Sequence, residues 1–101
     1  MDTLTRDSFQ EKAGKGSVII DFYADWCGPC RKLGPIFEEL SHEMNGVKFF
    51  KVNVEDAPDL AAEFNVQAIP TLLFFKDGDL VDRLMGGLAK DELRSLIEKH
   101  M

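Results

Sequence analysis

Two cysteines stand three positions apart in Trp26-Cys27-Gly28-Pro29-Cys30, and the chain has no others. A pair at this spacing can cycle between dithiol and disulfide, lend two ligands to a zinc ion, or close a small structural loop. The surroundings favour the redox use. An apolar run precedes the pair and a helical pattern begins near Pro29, so Cys27 falls at a helix N-terminus. Unpaired backbone N–H groups and the positive end of the helix dipole there favour a thiolate. A free cysteine titrates near pH ~8.5 and is mostly protonated at neutrality. Cys27, at an exposed turn, is therefore the expected nucleophile, and Cys30, one helical turn inside, the expected resolving thiol. Gly28 is read as admitting the tight turn, and Pro29 suits a first helical turn, where its missing N–H costs nothing.

The competing uses fare worse. Zinc takes four protein ligands at a structural site. Beyond the cysteines only His42, on the polar face of a helix, and His100, near the terminus, are at hand. A structural disulfide across so small a loop would restrict the unfolded chain little. No metal and no bound cofactor is implied beyond the redox-active pair itself.

Asp21 and Pro70 also invite chemistry. Asp21 interrupts Val18-Ile19-Ile20-Asp21-Phe22-Tyr23, where a buried carboxylate is costly to ionise and its pKa should rise. Plainer explanations are a strand-end residue reaching water or an ion pair with Lys51. Pro70 opens an apolar run; by itself a trans peptide bond is the better guess, because cis forms are ~5% of such bonds in folded proteins.

The elements that must position these residues alternate in type, as in an α/β domain. Thr5 caps a short helix to about Ala13, ended by Gly14 and Gly16. Val18–Tyr23 is a strand buried on both faces. A helix from about Pro29 to Met44 carries Leu33, Ile36, Phe37, Leu40 and Met44 on one stripe. Pro35 lies inside it, removes a backbone bond and should kink it, and Asn45-Gly46 ends it. Val47–Val54 is a second inner strand, Asp56–Phe64 a short helix, and Thr71–Lys76 a third strand. Asp77-Gly78-Asp79 forms a hairpin turn, Leu80–Met85 returns antiparallel, and an amphipathic helix from about Ala89 to His100 turns Leu93, Leu96 and Ile97 inward. The whole is one domain over residues 1–101: a mixed sheet with helices on both faces.

The composition is that of an ordinary globular protein, with 45% hydrophobic and 30% charged residues. Eighteen acidic residues against twelve basic ones give a net charge of −6. That balance opposes binding to nucleic acid or an anionic membrane. The N-terminus lacks the pattern of a secretory signal, no apolar stretch reaches membrane-spanning length, and cysteines are few. A cytoplasmic, reducing setting and a monomer are expected.

The chain resembles thioredoxins over nearly its whole length. The likeness rests on Asp21-Phe22-Tyr23-Ala24, Trp26-Cys27-Gly28-Pro29-Cys30, Pro35, Lys51-Val52-Asn53-Val54, Val66-Gln67-Ala68-Ile69-Pro70-Thr71 and Gly86. It implies a thioredoxin fold and a protein-disulfide reductase that is re-reduced by a thioredoxin reductase. It implies that Asp21 lies beneath Cys30 as a proton acceptor or relay, with Lys51 as its charge partner. It also implies that Pro70 is cis and faces the cysteines. Neighbouring backbone would then be free to pair with an extended substrate, on a shallow docking patch of Trp26, Gly28, Pro29, Ile69, Pro70, Met85 and Gly86. For Met85 a core position is nearly as good a reading.

Some positions depart from the family pattern. The first strand is expected to be very short or absent. Tyr23 stands where a tryptophan is common. Ala89 replaces a Ser or Thr cap, which should fray the last helix at a cost of about 1 kcal/mol. Two rivals to a reductase are weighed. A disulfide isomerase or oxidant usually carries a histidine where Pro29 stands. A docking module without turnover would have no use for Cys27, Cys30, Asp21 and Pro70 together.

Overall fold

The apolar run around Ile19 becomes the middle strand of a five-stranded sheet. The computed structural model describes residues 1–101. In chain order its elements are β1 (Asp2–Thr3), α1 (Arg6–Ala13), β2 (Ser17–Tyr23), α2 (Gly28–Glu43), β3 (Val47–Asn53), α3 (Pro58–Glu63), β4 (Thr71–Lys76), β5 (Asp79–Met85) and α4 (Lys90–Lys99). The strand order is β1-β3-β2-β4-β5. β3 runs parallel to both β1 and β2, while β4 is antiparallel to β2 and to β5.

Side chains on a strand alternate between faces, and the two faces of this sheet carry separate cores. Val18, Ile20 and Phe22 join Phe9, Leu60, Leu73 and Phe75 beneath α1 and α3. Ile19 joins Leu33, Phe37, Leu40, Phe49, Leu72, Phe74, Leu93 and Ile97 beneath α2 and α4. Asp21, two residues beyond Ile19, therefore points to the α2 side. Ile36 and Leu96, expected inward, pack at the margin of the second core.

Several boundaries differ from the sequence expectations for local reasons. β1 exists but is two residues long, extended by the Leu4 N–H donating to the Lys51 carbonyl at 2.7 Å. α2 begins at Gly28 rather than Pro29, and it runs on through Pro35. α3 begins at Pro58 rather than Asp56. The Asn53 carbonyl accepts from the N–H groups of both Asp56 (3.1 Å) and Ala57 (2.9 Å), which commits those residues to a turn. Pro58 also disfavours helical geometry in the residue before it, and Ala57 has φ −130° and ψ 62°. α4 is not frayed. Ala89 offers no side-chain oxygen, but its own N–H donates to Glu92 Oε1 at 3.3 Å. Lys90 reaches Glu39 (2.9 Å) and Glu43 (2.6 Å), and Arg94 also binds Glu43, tying the start of α4 to α2. Exposed pairs of this kind contribute little singly; their role here is to position the helix.

The β4–β5 hairpin turns on Asp77 and Gly78, both with positive φ (49° and 89°), as a two-residue type I′ turn requires. Asp77 also ties the turn to the end of α1: its Oδ1 accepts from the Gly16 N–H at 2.8 Å, and its own N–H donates to the Gly16 carbonyl at 2.9 Å. A Cβ on Gly78 would lie 3.4 Å from the Gly14 carbonyl oxygen. Gly78→Ala should therefore lower stability by about 1–2 kcal/mol, the cost of the left-handed conformation for a residue with a Cβ. Urea unfolding of the two proteins measures this; equal midpoints would show that the turn relaxes to a conformation alanine accepts.

Candidate functional site

The cysteines sit where β2 gives way to α2. The chain leaves β2 at Tyr23, and the Cys27 N–H donates to the Ala24 carbonyl at 3.2 Å, closing a tight bend. Cys27 is then the N-cap of α2, with φ −82° and ψ 115°, and its sulfur accepts the Cys30 N–H at 3.2 Å. The sulfur thus takes the place usually held by a Ser or Asp oxygen. Cys27 and Cys30 are joined as a disulfide, with Cα atoms 5.2 Å apart.

The geometry corrects two expectations. Cys27 is not the more exposed thiol: each cysteine is 4% exposed. They share a small cluster with Ala24, against which Tyr23, Val54 and Ile69 pack. What separates the two sulfurs is the backbone N–H aimed at Cys27. Gly28 does not supply a special turn conformation either. It is the first residue of α2, its φ is not positive, and a Cβ there would meet nothing within 4 Å.

Ile69–Pro70 is a cis peptide bond. The Ile69 carbonyl oxygen lies 3.8 Å from Cys27 Sγ, and the Pro70 carbonyl accepts the Gly86 N–H at 2.9 Å. Met85 pairs with Thr71 across β4 and β5. Residues 26–29, 69–70 and 85–86 are thereby gathered at one end of the sheet. Trp26 is 65% exposed and Met85 64%, so Met85 is not a core residue. Gly28, Pro29 and Gly86 are exposed, Ile69 half-buried and Pro70 buried.

Asp21 is 1% exposed, and its Oδ1 has no hydrogen-bond partner. Burial pushes its pKa up to about 7, against a smaller lowering by the charge of Lys51. Asp21 and Lys51 are register partners across β2 and β3, yet the Lys51 ammonium stands over the Tyr23 ring, 4.3 Å from its centroid. Asp21 is buried rather than exposed at a strand end, and it makes no contact ion pair with Lys51. Tyr23 as the seat of the Lys51 ammonium escapes sequence reasoning. The only signal was an aromatic residue two positions beyond Asp21, on the same strand face.

A cleft of about 210 Å³ opens beside Cys30, walled by Tyr23, Arg31, Gly34 and Lys51. A larger hollow of about 580 Å³, by Met1, Lys12, Lys48 and Phe50, lies at the β1 edge and holds none of these groups. No three His, Cys, Asp or Glu side chains are grouped to hold a metal ion. His42 is exposed, and His100 bonds Asp82 at 2.8 Å. No helix is long and apolar enough to cross a membrane.

A sheet flanked by helices, a disulfide at a helix N-terminus and a cis proline against it define a thiol–disulfide oxidoreductase. The thioredoxin family model matches residues 1–99, and the chain belongs to the thioredoxin family. It is 44% identical to the thioredoxin of Chlamydia caviae over 97 residues, covering 96% of this chain and 95% of that one. It is 41% identical to the thioredoxin of Chlamydia trachomatis over 100 residues, covering 99% and 98%. The Plasmodium falciparum thioredoxin structure superposes with a TM-score of 0.93 at 33% identity, over 100% of both chains. The Malassezia sympodialis thioredoxin gives 0.90 at 35% identity, over 99% of this chain and 90% of that one. Disulfide reduction through the Cys27–Cys30 pair is the function this family membership carries.

The buried carboxyl makes stability depend on pH. Folding raises the Asp21 pKa from 3.8 to about 7, so the folded protein keeps a proton that the unfolded chain loses first. Stability from this group falls as pH rises through that window and is constant above it. Asp21→Asn has no proton to lose. Its advantage over the parent should grow from about pH 4 to about pH 7, toward an upper bound on the order of 4 kcal/mol. Denaturant melts of both proteins across that range provide the comparison. A difference that stayed flat would mean that the Asp21 carboxyl ionises as easily in the folded protein as in the unfolded chain.

Proposed function

We propose that this chain reduces disulfides in protein substrates, with Cys27 as the attacking sulfur. The observation that carries this is the Cys30 N–H donated to Cys27 Sγ at the N-terminus of α2. In the reduced protein that donor and the helix dipole stabilise the Cys27 thiolate. The thiolate attacks one substrate sulfur, the substrate S–S bond breaks, and a mixed disulfide forms while the departing thiolate takes up a proton. Cys30 then loses its proton and attacks Cys27 Sγ. The second substrate thiolate leaves, and two electrons have moved from the pair to the substrate.

Asp21 is the proposed acceptor of the Cys30 proton. Its carboxyl is poised near neutrality by burial, and a cleft lined by Cys30 and Lys51 opens on the thiol that would give up the proton. Lys51 tempers the cost of the negative charge once the proton is taken. Substrate docks as an extended segment against the backbone at Ile69 and Pro70, flanked by Trp26, Gly28, Pro29, Met85 and Gly86. The exposure of Trp26 and Met85 supports that patch. A thioredoxin reductase restores the dithiol, and the protein acts as a monomer in the cytoplasm.

Trapping tests the assignment of sulfurs. Cys30→Ser should accumulate mixed disulfides with substrates through Cys27, because the second attack is lost, and Cys27→Ser should accumulate few. Equal capture by both variants would mean that the attacking sulfur is not Cys27. In the reduced parent protein, Cys27 should also be alkylated faster than Cys30 by iodoacetamide at neutral pH, as mass mapping would read; faster labelling of Cys30 would reverse the roles.

A further inference from the structure

Between α3 and β4 the chain runs from Phe64 to Pro70, and this segment carries the backbone placed against Cys27. Its far end is fastened: the Pro70 carbonyl accepts the Gly86 N–H at 2.9 Å, and the Ile69 carbonyl rests 3.8 Å from Cys27 Sγ. Its near end faces a difficulty. The Ala61 and Ala62 carbonyls of α3 accept the Val66 and Asn65 N–H groups, but the Phe64 and Asn65 carbonyls just beyond the helix accept no backbone N–H, and Asn65 has a positive φ of 55°.

One side chain resolves this. Arg83 on β5 pairs in register with Leu73, which packs in the core beneath α1 and α3, so Arg83 points to the α3 side. Its Nη2 donates to the Phe64 carbonyl, and its Nη1 donates to the Asn65 carbonyl at 3.2 Å. A guanidinium holds its donors in a rigid planar fork, and a cation suits the negative end of a helix. Arg83 and Gly86, three positions apart, thus hold the two ends of the segment, one through a side chain and one through the backbone.

We infer that Arg83 is a positioning residue for substrate recognition: by clamping the Phe64 and Asn65 carbonyls it sets where Ile69 and Pro70 present backbone to an extended substrate. Arg83 touches neither cysteine. Its effect is on docking and not on the sulfur exchange itself. The inference rests on the docking reading proposed above.

Two oxidants separate the possibilities. One is an extended peptide containing a disulfide with several residues on each side. The other is hydroxyethyl disulfide, which has no peptide backbone. Initial rates of oxidation of the reduced protein are measured with each, well below the melting temperature of every variant. The parent should react faster with the peptide. Arg83→Ala should slow the peptide reaction roughly fivefold and leave the hydroxyethyl disulfide rate within about twofold. Arg83→Lys, which keeps a cation able to donate to only one of the two carbonyls, should recover part of the loss and fall between the parent and Arg83→Ala. An unchanged peptide rate in Arg83→Ala overturns the inference. So does an equal fall with both oxidants, which is the mark of a general loss of structure. A parent protein with no preference for the peptide overturns the docking reading, and this inference falls with it.

Discussion

The first N–H groups of an α-helix have no carbonyl beneath them, and in α2 one of these donors is spent on sulfur. Cys27 occupies the position where Ser or Asp would ordinarily cap, and the Cys30 amide is turned onto its Sγ. A thiolate accepts that bond better than a thiol does, so the same interaction that starts the helix also biases the chemistry. Much of the remaining architecture serves to hold this junction. β2 delivers Cys27 from the centre of the sheet, where Ile19, Ile20 and Phe22 are fully buried. The stripe of Leu33, Phe37 and Leu40 then anchors α2 to the sheet behind it.

A second constraint follows from placing that junction over the sheet. The middle of the strand face beneath α2 is apolar around Ile19, Leu72 and Phe74, and Asp21 lies beside them, buried without a partner for Oδ1. An isolated carboxylate there is costly, and the fold tolerates the residue by keeping it protonated up to near neutrality. Lys51 could have neutralised it as a contact pair. Instead its ammonium rests on the Tyr23 ring, a favourable seat for a cation, and lowers the Asp21 pKa only partly. The carboxyl is left able to gain or lose a proton close to physiological pH, which is the property the proposed role of proton acceptor calls for.

The outer strand has a structural task beyond closing the sheet. β5 is an edge, exposed along much of its length, and it slips register at Phe74/Phe75, where Val81 is the additional residue. A bulge of this kind makes an edge a poorer template for pairing with another chain. Beyond the bulge, Met85 and Gly86 contribute exposed apolar surface and a backbone N–H to the surroundings of the cis proline, while the Arg83 side chain donates to the Phe64 and Asn65 carbonyls. The site is therefore shared between the strand-to-helix junction at Cys27 and the opposite end of the chain.

Local patterns in the sequence were enough to read most of the framework. Apolar alternation and runs, Asn-Gly and Asp-Gly turn signals and a cysteine pair at a strand-to-helix switch are short-range features, and they marked the sheet, the helices and the reacting sulfurs. Boundaries set by competing hydrogen bonds were not legible: α3 starts at Pro58 only because Asn53 captures the amides of Asp56 and Ala57. From residue patterns alone Pro70 read as trans, and family likeness was needed to expect the cis bond that the structure has. Other properties depended on what lies across space. Asp21 could be named a buried carboxyl from its strand, but that Lys51 would sit on Tyr23 and leave it unpaired depends on three side chains from two strands. The burial of Cys27 and Cys30 draws on Val54 and on Ile69, forty-two positions beyond Cys27, as well as on Tyr23 nearby. Arg83 as the clamp on α3 had no local signal, because its partners are backbone carbonyls, which every residue carries. Sequence specifies which groups exist and what each prefers locally; burial, electrostatics and partnership are sums over neighbours that only the folded chain brings together.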